Sequence, residues 1–565
     1  MAKNVAIGIQ DFSDLIKKNY FYIDKTDFIR EWWESGDSVT LITRPRRFGK
    51  TLNMSMVEQF FSIKYADNGN IFEGLSIWEH EDYRALQGTY PVISLSFANV
   101  KETDFKSASY RICQLLMKQY EQYAFLRKSD LLSDSEKSYF EQMASAMNAL
   151  DAPLALYQLS DFLCRYYGKK VIILLDEYDT PMQEAYINCY WEELVSFTRS
   201  FFNSSFKTNP WLERAIMTGI TRVSKESIFS DLNNLEVVTT TSDKYALSFG
   251  FTETEVFAAL EKYELGDQKE MVKSWYDGFI FGSQKDIYNP WSILNFLNKR
   301  KLGTYWANTS TNSLVGKLLR EGIPSIKMSF EALLRGESIQ TPIDEQIVYS
   351  QLTGNEAAVW SLLLASGYLK VLSYESYYKD ISDDEIPKYE LALTNLEVRL
   401  MFRNMISRWF ADTGSDYNDF IKAMLAGNKK AMNAYMNRVA LQTFSYFDTG
   451  RLPSITEPER FYHGFVLGLI VELGKKYTIT SNRESGFGRY DVMLEPKNPE
   501  EDDAIILEFK VLDADEESDL KDTVAAALKQ IEEKHYDAYL IEKGIPEDHI
   551  RKYGFAFRGK EVLIG

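Results

Sequence analysis

The feature that most constrains the fold is an apolar run at residues 39–42, followed within a few residues by Gly49-Lys50-Thr51. Leu52, Met56 and Phe60 then recur at helical spacing, which predicts a helix after the turn. Strand, Gly-Lys-Thr turn and helix together are typical of nucleotide-phosphate sites. Backbone N–H groups form a concave anion site, the lysine reaches the β- and γ-phosphates, and the threonine hydroxyl ligates Mg²⁺. The segment therefore predicts a site for ATP and Mg²⁺.

The loop departs from the usual pattern G-x-x-x-x-G-K-[ST] at its first position, where this chain has Arg44. A glycine at that position lets the backbone approach phosphate closely, so the match by itself is incomplete. We expect the loop as a whole to contact the nucleotide. Its candidate binding residues are Arg44, Arg46, Arg47, Phe48, Gly49, Lys50 and Thr51.

A second element supports the nucleotide site. Residues 171–175 form an apolar run of the length of a buried parallel strand, and two carboxylates, Asp176 and Glu177, follow it directly. This order resembles a Walker B element. Asp176 would hold Mg²⁺ through water, and Glu177 would act as general base on the attacking water.

Length and composition indicate several globular domains. The chain has 565 residues, of which 45% are apolar, and three widely separated cysteines that lack the neighbours of a zinc cluster. We interpret the cysteines as reduced residues of a cytoplasmic protein. The first residues lack a signal-peptide pattern, and no apolar stretch approaches bilayer-spanning length, so membrane insertion is not expected. The net charge of −18 means that any contact with DNA requires a local basic groove.

From residue 39 to about residue 247, apolar strands alternate with longer helical segments, which predicts a parallel sheet covered by helices. The predicted strands are residues 40–43, 91–97, 171–175, 214–218 and, with less support, 235–240. This order is that of P-loop ATPases with an additional strand, such as the AAA+ proteins. Thr218 or Thr221 would then sense the γ-phosphate and Arg222 would be a cation on it. The alternative, that Arg222 forms a surface ion pair, remains open.

The middle of the chain is predicted to be mainly helical. Aromatic clusters at residues 275–278 and 288–292 mark turns and a helix start, and clusters of this kind usually belong to a core. Residues 361–394 suggest a winged helix whose loop contains Asp383-Asp384-Glu385. Because such an acidic loop would repel phosphate, a packing role is favoured over DNA binding.

The C-terminal part carries two strand patterns, residues 488–494 and 504–511, joined by a turn-forming segment, which predicts a hairpin. Side chains alternate along a strand, so Glu508 and Lys510 face one side, and Asp491 of the neighbouring strand can join them. Asp491 and Glu508 would ligate Mg²⁺ or Mn²⁺. Lys510 would orient water or stabilise charge at the phosphorus.

Acid-x-Lys triplets are common by chance, so the surroundings matter. A predicted helix at residues 459–473 carries Glu459 and His463, and a later helix carries Gln530 and Lys534 on one face. Helix, hairpin and helix form the core order of PD-(D/E)XK nucleases. The alternatives are a surface ion-pair network for the carboxylates and a packing role for His463.

Longer strings of residues resemble a bacterial family with an AAA-ATPase-like N-terminal domain and a C-terminal PD-(D/E)XK nuclease-superfamily domain. They are Tyr22-Ile23-Asp24-Lys25-Thr26, Thr43-Arg44-Pro45-Arg46-Arg47-Phe48-Gly49-Lys50-Thr51, Leu175-Asp176-Glu177-Tyr178-Asp179-Thr180-Pro181-Met182, Trp275-Tyr276-Asp277-Gly278, Tyr288-Asn289-Pro290-Trp291 and the segment from Ser481 to Asp491. The resemblance implies an α/β fold: a P-loop NTPase sheet, a helical and winged-helix-like region, and a small nuclease-like domain. We predict boundaries at 1–248, 249–400, 401–455 and 456–565.

The leading hypothesis is an ATPase coupled to a metal-dependent nuclease that cleaves DNA. The alternative is a non-catalytic, ATP-driven switch whose C-terminal domain binds nucleic acid or a protein without cutting. A scaffold without nucleotide binding is a third, weaker hypothesis. Self-association as a dimer or ring is compatible with the sequence, since AAA-type sites often use an arginine of a neighbouring subunit.

Overall fold

The computed structural model forms two compact units, one of residues 1–318 and 332–401 and one of residues 319–331 and 402–565. The structure describes residues 3–223, 228–229, 232–307, 313–321, 324–344, 349, 352, 355–374, 388–411, 417–443, 466, 470, 473, 476–485, 488–513, 517–558 and 561–565. The acidic triplet at 383–385 and the residues Glu459 and His463 lie outside this part of the chain. The four-part division stays a prediction.

The N-terminal unit begins with an α/β region. Its elements are α1 (Phe12–Lys17), α2 (Asp27–Ser35), β1 (Val39–Thr43), α3 (Lys50–Phe61), α4 (Glu81–Leu86), β2 (Val92–Ser96), α5 (Phe105–Gln122), α6 (Asp134–Ser145), α7 (Ala152–Tyr167), β3 (Val171–Asp176), α8 (Thr180–Ile187), α9 (Trp191–Phe202), β4 (Leu212–Gly219) and β5 (Leu235–Val238). Every residue of β1 and β3 is buried, as expected of strands covered on both faces.

The five-stranded sheet has the order β2-β3-β4-β1-β5, and its neighbouring strands run parallel. The predicted parallel sheet is confirmed. Strand β4 is the additional strand, because it lies between the strand before the phosphate loop and the strand that ends at Asp176. Thr43 pairs with Gly219, and Leu175 with Met217, so β1, β3 and β4 end at one edge of the sheet.

A small antiparallel sheet follows in the same unit. Its elements are β6 (Phe251–Thr252), α10 (Glu253–Lys262), α11 (Lys269–Tyr276), β7 (Phe279–Phe281), β8 (Gln284–Tyr288) and α12 (Pro290–Lys299), with strand order β6-β8-β7. Asn289 caps α12 through a hydrogen bond from the Trp291 amide, and Pro290 takes the first helical position. The predicted helix start at this motif is therefore present.

The next elements follow the chain order of a winged helix: α13 (Ser313–Glu321), α14 (Pro324–Arg335), β9 (Ile339–Thr341), α15 (Glu356–Ala365), β10 (Leu369–Tyr374) and β11 (Tyr389–Leu393), with sheet order β10-β11-β9. Every residue from Ala358 to Leu364 is buried, because α15 is apolar on all sides. A helix buried in this way cannot lie in a DNA groove, and this favours the packing interpretation.

The remaining elements are α16 (Leu396–Ala411), α17 (Tyr417–Leu425), α18 (Lys429–Thr443), β12 (Tyr477–Ser485), β13 (Gly488–Pro496), β14 (Ala504–Val511), α19 (Leu520–Glu533), α20 (Ala538–Glu542), β15 (Ile550–Arg558) and β16 (Glu561–Ile564). The sheet order is β12-β13-β14-β15-β16, with β14 and β15 parallel and the other pairs antiparallel. The predicted β13–β14 hairpin is present.

One edge of this sheet is closed by asparagine side chains. Asn433 and Asn437, one helical turn apart on α18, each pair with both the N–H and the carbonyl of one β16 residue, Ile564 and Val562 respectively. The two amides thus take the place of a further strand and satisfy an otherwise open edge. In the part of the chain that the structure describes, no helix has the length and apolar character needed to cross a bilayer.

Candidate functional site

The predicted phosphate loop connects β1 to α3. Arg47 and Gly49 both adopt left-handed backbone conformations, with φ of 66° and 84°, so the loop turns sharply just before the helix. Helix α3 begins without a side-chain cap. The amide groups of such a helix start point along the helix axis towards the loop, where they form a site for anions.

The Lys50 side chain ends inside this loop. It is 5% exposed, and its Nζ donates to the carbonyl oxygens of Arg44 at 2.8 Å and Pro45 at 3.0 Å. Burial lowers the pKa of Lys50, while nearby carboxylates, Glu177 most strongly, oppose that shift. The ammonium thus binds the carbonyl groups of the loop, and a phosphate would compete with them.

Asp176 joins three segments of the sheet edge. Its carboxylate accepts one hydrogen bond from Thr51 Oγ1 at 2.7 Å and another from Thr218 Oγ1. It is 5% exposed, and burial raises its pKa against the opposing effect of these two bonds. The predicted Mg²⁺ residues Thr51 and Asp176 are therefore in direct contact, and Thr218 lies beside them. This arrangement suits a hard cation that coordinates oxygen.

Glu177 follows in a left-handed conformation, with φ of 51°. Its backbone N–H donates to Thr218 Oγ1 at 3.4 Å, and its Oε2 accepts from Thr180 Oγ1 at 3.1 Å. Left-handed backbone is uncommon for residues other than glycine, and it turns the glutamate out of the strand direction. The half-buried carboxylate is thus next to the Asp176 site.

The structure corrects the prediction for Arg44. This residue is fully buried, and its guanidinium donates to the carbonyls of Thr43 at 3.1 Å, Lys244 at 3.3 Å and Thr239, while it stacks on Phe281 at 4.5 Å. Burial lowers its pKa to about 9. Its backbone N–H donates to the Gly219 carbonyl. Arg44 therefore fastens the start of the loop to the sheet and does not face a nucleotide.

We expect Arg44→Ala to destabilise the N-terminal unit by about 3 kcal/mol or more, because two buried carbonyls and one partly buried carbonyl would lose their donor. Thermal unfolding followed by circular dichroism measures the effect. Arg46→Ala, in the same loop but exposed, is the control and should change the melting temperature little. Equal melting temperatures for the two variants would contradict the structural role of Arg44.

The other loop residues contact the small sheet. The Arg47 guanidinium lies over the Trp291 ring at 4.4 Å, and the Arg46 carbonyl accepts from Asn289 Nδ2 at 3.2 Å. The exposed Arg46 side chain approaches Gln183 at 3.5 Å. The Phe48 ring is buried, with ring centroids 4.7 Å from Phe279 and 5.3 Å from Phe281. Phe48 is thus a core residue of the loop, and only its backbone can contact phosphate.

Asn289 and Trp291 were missed as parts of the site, since the sequence assigned their motif to a core. The signal that could have found them is the pairing of the 288–291 string with the loop string in the family resemblance. Through these two contacts, Arg46 and Arg47 of the loop touch the start of α12.

Arg222 lies elsewhere on the sheet edge. Its half-buried side chain lines a cavity of about 20 Å³ together with Thr43, Thr239 and Ser361. This volume holds about one water molecule and not a nucleotide. The cavity lies on the β1–β5 side of the edge, and contact of Arg222 with a phosphate stays a prediction.

The C-terminal candidate site lies on β13 and β14. Val492 pairs with Leu507, and Asp491 and Glu508 come directly next to this pair on the two neighbouring strands. Asp491 Oδ2 accepts from the Phe509 backbone N–H at 2.8 Å. Burial raises the pKa of Tyr536, and the carboxylates of Glu508 and Asp491 raise it further, so both carboxylates lie near its hydroxyl. The structure thus brings together the two predicted metal ligands.

A helix residue orients the glutamate. Glu508 is 3% exposed, and its Oε1 accepts from Gln530 Nε2, which also donates to the Tyr536 hydroxyl at 3.1 Å. Lys510, two residues after Glu508, is half-buried and shares its face of the strand. Lys534 is the C-cap of α19. Gln530 therefore joins the candidate site.

Two carboxylates on one face suit Mg²⁺ or Mn²⁺, which retain several waters when few protein ligands are present. Among the described residues, no cluster of three or more His, Cys, Asp or Glu side chains suits a metal. The remaining ligands would be water and the oxygens of a phosphodiester.

Comparisons with known proteins match the two parts of the chain that carry the candidate sites. Residues 6–229 match the family described as "Predicted AAA-ATPase", and residues 457–565 match the "PD-(D/E)XK nuclease superfamily". A relative from Azotobacter chroococcum mcd 1, named "Uncharacterized protein in vnfD 5'region", is 26% identical over 404 residues, which cover 70% of this chain and 68% of the relative. The predicted fold class and family resemblance are confirmed. The chain thus carries a segment similar to the predicted AAA-ATPase family and, after it, a segment similar to the PD-(D/E)XK nuclease superfamily.

Proposed function

We propose that the N-terminal domain binds ATP with Mg²⁺ and hydrolyses it. The observation that carries this proposal is the contact of Asp176 with both Thr51 and Thr218 beside the phosphate loop. Thr51 and Asp176 would hold the Mg²⁺, and Lys50 would exchange its two loop carbonyls for phosphate oxygens. Bound Mg²⁺ neutralises the charge that develops on the transferring phosphoryl group. Glu177 would take the proton of the attacking water.

Lys50→Ala tests nucleotide binding. We expect the dissociation constant for ATP to rise by about 10- to 100-fold, since a charged hydrogen bond contributes about 1.5–3 kcal/mol. Wild-type protein should gain melting temperature on addition of Mg-ATP, and the variant should gain much less. An exposed lysine of the same unit, Lys118→Ala on α5, is the control. An undiminished gain in Lys50→Ala would contradict the assignment of the loop.

We propose that the C-terminal domain cleaves DNA phosphodiester bonds with Mg²⁺ or Mn²⁺. Its support is the position of Asp491 and Glu508 on neighbouring strands, where Gln530 donates a hydrogen bond to the Glu508 carboxylate. The cation would polarise the scissile phosphate and activate a water, and Lys510 would orient that water or stabilise the phosphorane charge. Asp491 and Glu508 would hold the cation, and Lys510 lies two residues after Glu508 on the same face of its strand.

A supercoiled-plasmid assay tests the nuclease proposal directly. We expect nicked or linear DNA to form with Mg²⁺ or Mn²⁺, and chelation by EDTA to stop its formation. Reactions with and without ATP show whether the nucleotide state controls cutting. Intact plasmid under all of these conditions would favour the non-catalytic switch.

We also propose action in the cytoplasm. All three cysteines, Cys113, Cys164 and Cys189, are free thiols, as expected in a reducing compartment. The cellular partners are then ATP and DNA. Self-association remains part of the proposal, because AAA-type sites often take an arginine from a neighbouring subunit.

A further inference from the structure

A buried carboxylate beside the ATP site has a place in the fold that the proposed roles do not use. Asp179 is 1% exposed and occupies the N-cap position of α8, but its side chain does not cap that helix. Its Oδ2 instead accepts hydrogen bonds from the Ile220 N–H, the Thr221 N–H and Thr221 Oγ1, each at 2.9 Å. The carboxylate therefore binds the segment that follows β4.

The neighbouring tyrosine strengthens this connection. The Tyr178 hydroxyl donates to the Thr221 carbonyl at 2.7 Å and accepts from the Val223 N–H at 3.0 Å. A Cβ atom on Gly219 would lie 2.6 Å from the Tyr178 ring and 2.8 Å from Asp179 Oδ1. The turn after β3 and the segment after β4 are thus packed without a gap. We call these two residues, Tyr178 and Asp179, the latch.

The latch lies between two candidate catalytic groups. Glu177 directly precedes it and has the left-handed φ of 51°. Arg222 directly follows Thr221, whose backbone and hydroxyl the latch holds. A strained conformation persists only where its surroundings over-determine it. The latch provides such surroundings for Glu177 and also fixes the backbone from which the Arg222 side chain extends.

The choice of a carboxylate is informative. An aspartate buried to this extent is costly unless its oxygens are well bonded, and here one oxygen accepts four hydrogen bonds, the fourth from Gln183 Nε2 at 3.3 Å. The same negative charge acts on the Lys50 ammonium. A residue needed only for packing would not require this charge. The Asp179 carboxylate acts on Lys50 of the phosphate loop, follows the Glu177 turn and binds the segment that leads to Arg222.

We infer that Asp179 is a positioning residue for ATP hydrolysis, which holds Glu177 and the Thr221–Arg222 segment in one fixed arrangement. This inference rests on the proposed ATPase activity. Asp179 itself touches neither the nucleotide nor the water. Its loss should therefore lower kcat while the affinity for ATP, which depends on the loop and Mg²⁺ residues, is largely retained.

The test compares Asp179→Asn and Tyr178→Phe with wild type in the full chain. We expect kcat for ATP to fall by roughly 10- to 100-fold in Asp179→Asn, the cost of a small misplacement of catalytic groups. The fall should be smaller in Tyr178→Phe. The dissociation constant for ATP should change by less than about threefold, and amide hydrogens of Ile220 and Thr221 should exchange faster. Tyr120→Phe is the control, because its buried hydroxyl also donates to a backbone carbonyl, that of Ala155 at 2.8 Å.

The outcomes are distinct. If wild type hydrolyses ATP and Asp179→Asn keeps the same kcat, the latch inference is overturned and the ATPase proposal stands. If wild type binds Mg-ATP without hydrolysing it, both are overturned. If kcat falls as much in Tyr120→Phe as in Tyr178→Phe, the effect of Tyr178→Phe is general destabilisation and does not support the latch inference. Should Asp179→Asn not fold, the kcat and amide exchange of Tyr178→Phe decide the matter.

Discussion

Glu177→Gln is expected to retain ATP but to hydrolyse it about 10²- to 10⁴-fold more slowly than wild type, the range that general-base catalysis contributes. Glutamine preserves the size of the side chain and can still accept from Thr180 Oγ1, as Glu177 does at 3.1 Å. It cannot take a proton from water. The loss should therefore fall on kcat alone, with the dissociation constant for ATP nearly unchanged.

Phosphate release measures kcat, and the ATP-induced gain in melting temperature measures binding. Glu102→Gln is a suitable control, because Glu102 is a partly buried glutamate of the same unit that pairs with Arg111 at 3.1 Å. Surface pairs of this kind contribute little to stability. If Glu177→Gln hydrolyses ATP as fast as wild type, the base is another group. If wild type binds ATP without turnover, the switch hypothesis gains support.

The sheet at the ATP site could be predicted because its strands are buried on both faces. Near-continuous apolar runs such as residues 171–175 can be recognised in the sequence without knowledge of their neighbours. The observed strands β1, β3 and β4 extend the predicted ranges by up to two residues at an end. The position of Asp176 at a strand end followed from the same pattern.

The role of Arg44 could not be predicted, because the carbonyl groups that bind its guanidinium are distant in sequence. Thr239 and Lys244 follow it by 195 and 200 residues. The guanidinium group binds phosphate well, so an arginine in a phosphate loop is predicted to be a phosphate ligand. Its burial is seen only from the packing around it. The contact of Lys50 with two loop carbonyls could not be predicted either, since it depends on the folded conformation of the loop.

Burial also separates residues that look alike in the sequence. Phe48 is a core residue, whereas Trp291, in a motif assigned to the core, provides a surface for Arg47. Aromatic side chains serve both purposes, and their spacing does not distinguish them. In the C-terminal domain, strand alternation predicted that Asp491, Glu508 and Lys510 share one face. The contact of Gln530 with Glu508 could not be predicted, because it depends on how α19 packs.

The second large effect is expected at this C-terminal site, where Asp491→Asn should lower metal-dependent plasmid cleavage by at least about 100-fold. A bound cation contributes several kcal/mol to the transition state, and each 1.4 kcal/mol is tenfold in rate. Asparagine can still accept from the Phe509 N–H, as Asp491 does at 2.8 Å, so the hairpin should remain folded. Only the negative charge that binds the cation is removed.

Glu495→Gln provides the matched control for this loss. Glu495 lies four residues further along β13 and pairs with Lys543 at the surface at 2.5 Å, so its loss should leave cleavage unchanged. Lys510→Met should slow cutting while metal binding, followed by isothermal calorimetry with Mn²⁺, persists. Substitutions in this chain do not affect a contaminating nuclease. Cleavage that survives both Asp491→Asn and Lys510→Met would therefore come from another protein and would contradict the nuclease assignment.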